Sequence, residues 1–118
     1  MAIHNTRGKE GEAIAAHYLS DRGFEILACN WRSGYYELDI IAVRGNILHF
    51  IEVKTRHSLA FGFPEEAVTK RKFDRLKKAA SRFLTEHPRK ERIQFDIVSV
   101  LRLAGRPPEL LLIEDVYL

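Results

Sequence analysis

Apolar residues recur along this chain with two different periods. Between residues 6 and 22, Ile14, Ala15, Tyr18 and Leu19 fall at helical spacing, and Gly23 follows as a stop. From Phe24 to Trp31 the period changes to two, with Phe24, Ile26 and Ala28 alternating against Glu25 and Leu27, and Ser33-Gly34 ends that strand. Glu37–Arg44 and Ile47–Thr55 are both rich in β-branched residues, and only Gly45-Asn46 separates them, a two-residue hairpin signal. His57–Pro64 reads as a loop. Thr69 can cap a long helix to about Glu86, with Phe73, Leu76, Ala79, Ala80, Phe83 and Leu84 as its buried stripe, and Pro88 stops it. Ile93–Leu101 and Leu110–Val116 read as strands around an Arg106-Pro107-Pro108 turn. The order is α-β-β-β-α-β-β, an α/β fold with no repeat, linker or low-complexity tract.

The hairpin places chemistry. If Gly45-Asn46 closes it without a bulge, residues pair wherever their numbers sum to 91, a rule of this turn. Asp39 then falls opposite Glu52 and Glu37 opposite Lys54, all on one face by the period of two. Like charges directly opposite destabilise a hairpin. The neighbours are apolar on both faces, as in a central strand pair covered on both sides. Desolvated carboxylates need a partner or a proton. A divalent cation, Mg²⁺ or Mn²⁺, would resolve the conflict, since such hard ions take oxygen ligands. The structural alternative is an ion-pair network, with Lys54 neutralising Glu37 and Glu52 and Asp39 at a watery sheet edge.

Glu12 shares a helix stripe with Ala15, Ala16 and Leu19, so it leans towards the core, and Gly8 and Gly11 remove bulk beside it. It could approach a metal from the helix, or be a first-turn acid favoured by the helix dipole, a reading that fits Glu10 equally. Tyr35, Tyr36 and Trp31 are candidate base-stacking rings, with core or rim positions as the alternative. His57 follows the Lys54 strand and could touch substrate. Asp96 is either a supporting acid or an ordinary edge residue.

Composition narrows the class. The 118 residues fit one domain, and 46% apolar with 30% charged residues excludes disorder throughout. No apolar run reaches the roughly 18 residues of a membrane span, and Met1–Glu12 lacks the apolar stretch of a signal peptide. Cys29 and five scattered histidines show no zinc spacing, so a cytoplasmic protein without structural metal is expected. Net charge is +3, but residues 69–92 hold ten Lys or Arg against Asp74, Glu86 and Glu91, a local +7. Such a segment suits a polyanion, or is a solvated helix face. Lys70, Arg71 and Lys72 lie in the first helical turn, where the dipole does not favour cations but phosphate would.

These residues also carry a resemblance. Gly8-Lys9-Glu10-Gly11-Glu12 with Ala15 and Tyr18-Leu19, Asn30-Trp31-Arg32, Glu37-Leu38-Asp39-Ile40-Ile41, and Phe50-Ile51-Glu52-Val53-Lys54-Thr55-Arg56 match in order. Phe61-Gly62, Glu66-Ala67-Val68, Lys72 and Phe95-Asp96 extend the match over nearly the whole chain. The sequence resembles the YraN family of small bacterial proteins, of the restriction-endonuclease-like PD-(D/E)xK superfamily near the Holliday-junction resolvases. That resemblance implies a mixed β-sheet flanked by helices, Asp39 and Glu52 as metal ligands, Lys54 positioning or activating water, and Glu12 as an accessory carboxylate. Tyr36 is a departure, because the family usually has glycine there.

The expected function is a metal-dependent endonuclease that hydrolyses phosphodiester bonds of structured or branched nucleic acid. Asp39, Glu52 and the Val53 carbonyl would hold Mg²⁺ (or Mn²⁺), with Glu37 accessory and Lys54 steadying the nucleophile or developing charge. Arg56, Lys70, Arg71, Lys72 and Lys78 would hold the backbone of the nucleic acid, with DNA as the first expectation. The alternatives are a nucleic-acid-binding module of the same fold that cuts poorly or not at all, and an interaction subunit whose apolar tail, Leu110–Leu118, docks a partner or a second copy as a homodimer. No membrane partner is expected.

Overall fold

The computed structural model describes residues 3–58 and 70–116, with side chains from residue 9 onward. The Thr69 cap, the Phe61–Val68 part of the resemblance, the surroundings of Gly8 and the last two residues of the tail lie outside them. Helix α1 (Ile3–Asp21) leads into β1 (Glu25–Ser33), β2 (Tyr36–Arg44) and β3 (Ile47–Arg56); α2 (Lys70–Glu86), β4 (Arg92–Leu101) and β5 (Glu109–Ile113) follow. The observed order is the expected one, with ends shifted by a few residues.

The five strands form one mixed sheet in the order β1-β2-β3-β4-β5. Neighbours are antiparallel except β3 and β4, which run parallel because α2 lies between them in the chain. One helix covers each face. Ala15 and Leu19 of α1 pack on Ile40, Ala42, Ile51, Val98 and Val100. Leu76, Ala79, Ala80 and Phe83 of α2 pack on Leu38, Ile41, Leu48 and Phe50. Both faces of the middle strands are therefore apolar, as a sheet covered on both sides requires.

Gly45 turns the β2–β3 hairpin with φ +63°. Arg44 pairs with Ile47, Val43 with Leu48, Ala42 with His49, Ile41 with Phe50 and Ile40 with Ile51, so the no-bulge register holds. There the pairing ends. Beyond Ile40, β2 stays with β1 as far as Ser33 opposite Tyr36, while β3 stays with β4 as far as Arg56 opposite Leu101. The two middle strands part, and the gap opens at Asp39 and Glu52.

Helix α1 reaches that end of the sheet because Gly11 lets it close on β3: a Cβ at Gly11 would stand 2.3 Å from Thr55 Oγ1. Gly11→Val is expected to destabilise the fold by about 1–3 kcal/mol through overpacking. Thr55→Ala in the same chain should restore much of that stability. Urea melts of the single and double variants check this, and equal destabilisation with and without Thr55→Ala would show that the helix is not held at this point.

Candidate active site

The parting of β2 and β3 leaves backbone groups without a ladder partner, and a side chain fills the role. The Val53 N–H donates to Asp39 Oδ2 at 2.9 Å. This anchors Asp39, partly buried, at the base of the gap. Glu37, Asp39 and Glu52 line a cleft of about 120 Å³ there, closed by Lys72, Arg75 and Leu76 of α2. Glu12 comes in from α1, where it meets Asp39 and the Asn30 side chain.

Two of these carboxyl groups, Asp39 and Glu12, are shifted upward by their surroundings. Burial raises the Asp39 pKa from 3.8 to about 7; the Val53 N–H works against it, and the charges of Glu12 and Glu52 reinforce it. Burial also raises Glu12, with Glu37 adding in the same sense and hydrogen bonds from Asp39 and Asn30 opposing. Both carboxyl groups are thus pushed towards the protonated form where they meet. Glu12 Oε2 is buried and has no hydrogen-bond partner.

The cations are arranged differently from the simple hairpin expectation. Glu37 does not meet Lys54: it pairs with Arg32 across β1 and β2 at 3.3 Å, because β2 follows β1 past the gap. Lys54 Nζ instead lies 2.9 Å from Glu52 Oε1, two residues earlier on its own strand. Lys72 comes down from α2 beside Lys54, and that proximity lowers the Lys72 pKa. Lys72 is therefore part of the cleft and not only of the helix surface. Lys70, Arg71 and Lys78 stay outside, on an exposed groove that also reaches Arg75. Arg56 is partly buried at the end of β3, its guanidinium bonded to the Thr55 carbonyl at 3.1 Å.

Sequence reasoning missed Asn30 and Arg75. Asn30 holds φ +54°, a left-handed conformation that Asn tolerates better than most residues, and nothing in the strand pattern marked it. Asp96 is no edge acid. It is wholly buried on β4, an interior strand, with His49 Nδ1 2.5 Å from Oδ2, and Gln94 and the Asp115 N–H donating to Oδ1. His49, Asp96 and Glu114 have ligand-capable atoms within 4.8 Å of one another. Glu114 is bonded to Arg44 and both Asp96 oxygens are engaged, so the carboxylates of this cluster are met from within the chain, while His49 Nε2 is buried with no hydrogen-bond partner. The β2–β3 gap differs in its donors: carboxyl groups from three elements meet there, one Glu12 oxygen is buried without a partner, and burial pushes the Asp39 pKa up to about 7. Its hard oxygen donors fit a divalent cation of the Mg²⁺ or Mn²⁺ kind.

In metal-free protein, unfolded Asp39 loses its proton near 3.8 and folded Asp39 near 7. Between those values the folded chain binds the extra proton, so stability falls as pH rises through the window, by an amount on the order of a few kcal/mol. Burial drives this, the charges of Glu12 and Glu52 add to it, and the Val53 N–H opposes it. Asp39→Asn keeps an oxygen for the Val53 N–H and carries no charge. It should melt above the wild type at pH 8 and show a much shallower pH slope. Excess Mg²⁺ or Mn²⁺ should raise the wild-type melting temperature at pH 8 and leave Asp39→Asn unchanged. Equal gains in both proteins would show that the cation binds elsewhere.

Comparison with known proteins places these residues in a family context. The pattern of the uncharacterised protein family UPF0102 matches residues 11–100, which contain Glu12, Asp39, Glu52 and Lys54. A UPF0102 protein of Rhodococcus opacus (strain B4) is 42% identical over 118 residues, covering 99% of this chain and all of the relative. One from Beutenbergia cavernae is 48% identical over 103 residues, 86% of this chain and 87% of the relative. Another, from Syntrophomonas wolfei, is 48% identical over 100 residues, 84% of this chain and 87% of the relative.

Proposed function

The chain belongs to the uncharacterised protein family UPF0102, and from the chemistry of its cleft we propose that it is a metal-dependent endonuclease acting on structured or branched nucleic acid. The observation that carries this reading is the gap between β2 and β3. Three carboxyl groups from three elements, Glu12, Asp39 and Glu52, converge there with one buried oxygen unpartnered, and Lys54 and Lys72 stand beside them. The resemblance to the PD-(D/E)xK superfamily supports the same reading.

Asp39, Glu52 and the Val53 carbonyl would hold Mg²⁺ or Mn²⁺, with Glu12 approaching from α1. Such a cation, when bound, polarises a phosphoryl oxygen and lowers the pKa of water. The rest of the work falls to the chain. Asp39 gives up its proton on loading and becomes the anionic donor. Glu52 orients Lys54 through their 2.9 Å ion pair. Lys54 then holds the attacking water or the charge growing on the phosphoryl oxygens, an interaction worth most in the transition state. Lys72 adds a second ammonium at the same place, and Arg75 links the cleft to the outer groove. Arg56, Lys70, Arg71 and Lys78 hold phosphates without reading sequence.

The decisive assay offers linear, flapped, forked and four-way nucleic acids with Mg²⁺ and with Mn²⁺. Wild type is expected to cut at least one class. Lys54→Ala should lower the rate by roughly 100-fold or more while binding changes little, as when a transition-state interaction is removed. Asp39→Asn should lose cleavage with either metal. A wild type that binds but cuts none of these substrates would leave a binding module of the same fold. If salt-dependent binding is also absent, neither reading survives, and the basic helix is solvated surface.

A further inference from the structure

Next to the cleft lies a feature that phosphodiester chemistry does not use. β1 and β2 are joined by the two-residue turn Gly34-Tyr35, with Gly34 at φ +62° and Ser33 paired to Tyr36. That turn pushes the Tyr35 ring wholly into solvent, at 103% relative exposure. Its neighbour behaves in the opposite way. Tyr36 packs against the α2-side core, and the Arg82 guanidinium covers its ring 5.6 Å from the centroid. The two tyrosines, equivalent candidates in the sequence, are therefore separated by the fold. One is a packing residue and the other an open aromatic face.

Tyr35 and Tyr36 both border an open groove of about 710 Å³ between the turn and α2, Tyr35 being the exposed ring of the two, and the groove's cationic wall is Lys70, Arg71, Arg75 and Lys78. Asp74 also lines it and is neutralised by Lys77 at 3.4 Å. Arg75 borders both this groove and the acidic cleft, so the two lie side by side on α2. An aromatic face beside a row of cations is the chemistry that binds an unpaired polynucleotide: bases stack on the ring, and phosphates follow the charges. Bases within a duplex are already stacked on each other and cannot use such a ring.

We propose that this groove is a subsite for an unpaired stretch of nucleic acid, with a base stacked on Tyr35 and the backbone led past Lys70, Arg71 and Lys78 towards the cleft. The inference rests on the endonuclease reading for its direction, and it narrows the substrate class to a single strand or the unpaired arm of a branched one. The binding surface itself does not require cleavage.

Fluorescence anisotropy in the absence of divalent metal tests it. The probes are oligo(dT) and oligo(rU) of about 12 nucleotides, within the span that such grooves cover, and a blunt DNA duplex of equal length. Tyr35→Ala is expected to weaken single-strand binding about tenfold, with duplex binding changed less than about twofold. Tyr35→Trp should keep the affinity, and its added indole emission should fall as oligonucleotide binds. Combined replacement of Lys70, Arg71 and Lys78 by Ala should weaken all probes. It should also flatten the salt dependence by up to roughly 0.7 log units for each single-strand phosphate that is no longer neutralised. The Tyr35 side chain lies outside the core, so thermal melts of its variants should match wild type. The relative response of the dT and rU arms reports whether the subsite prefers DNA or RNA. Three results overturn the proposal: no binding to any single strand, unchanged affinity in Tyr35→Ala, or equal weakening on single strand and duplex. If wild type binds single strands through Tyr35 but cuts nothing, the endonuclease reading fails and the subsite stands. If it cuts branched substrates and Tyr35→Ala changes neither cutting nor binding, the subsite fails alone.

Discussion

The molecule is organised around one unmade set of hydrogen bonds. After Ile40 and Ile51, β2 and β3 stop pairing, because β2 remains bound to β1 and β3 to β4. A backbone N–H left in such a gap costs free energy unless something accepts from it. Asp39 accepts from Val53, and in doing so becomes a fixed carboxyl in a partly buried place. The location of the site, its acidity and its access from both helices follow from that parting. A ladder that continued to Glu37 would have filled the same space with backbone.

The charges of the gap are paired only in part, by Lys54 with Glu52 and by Arg32 with Glu37. Its carboxyl groups come from α1, β2 and β3, and its cations from β1, β3 and α2. The two helices therefore bring charges of opposite sign to the same end of the sheet. The compensation is incomplete: Asp39 stays protonated to about pH 7, and one Glu12 oxygen is unpartnered. The far end of the sheet is built differently. Buried His49 and Asp96 meet Arg44 and the exposed Glu114 there; the Asp96 oxygens and Glu114 are met from within the chain, and His49 Nε2 alone of this group is buried without a partner. That network ties the chain after β5 to the sheet through the Asp115 and Val116 N–H groups. One end of the sheet gathers carboxyl groups and lysines in a cleft, and the other builds its polar groups into contacts that hold the chain after β5.

Long side chains link the cleft to the surface. Among the described residues, no helix is long and apolar enough to cross a membrane, and α2 carries most of its cations away from its buried Leu76, Ala79, Ala80 and Phe83, while Lys72 and Arg75 extend beside Leu76 at the cleft. Its first turns lie over the gap, so Lys72 and Arg75 serve the cleft while Lys70, Arg71 and Lys78 serve the groove outside it. A single amphipathic helix thus closes the core on one face and supplies positive charge around the acidic pocket.

How much of this was legible beforehand depends on how far apart in sequence the interacting groups lie. The element order, the Gly45-Asn46 turn and the register that sums to 91 are local properties of alternation and turn geometry, and the sequence alone determined them. It also determined which carboxylates and which lysine the hairpin carries, since two strands joined by a tight turn leave little freedom. The partners of those groups were not legible. Of the two partners that the ion-pair alternative gave Lys54, Glu52 is met, but Glu37 turned to Arg32 because β2 follows β1 beyond Ile40, which a hairpin read by itself cannot reveal. Asn30, Lys72 and Arg75 arrive from elements whose approach is set by core packing. The split fate of Tyr35 and Tyr36 depends on where α2 lies, and the burial of Asp96 on β5 covering what would otherwise be an edge. Local periodicity decides which face a side chain occupies; only the packing of distant elements decides what it meets there.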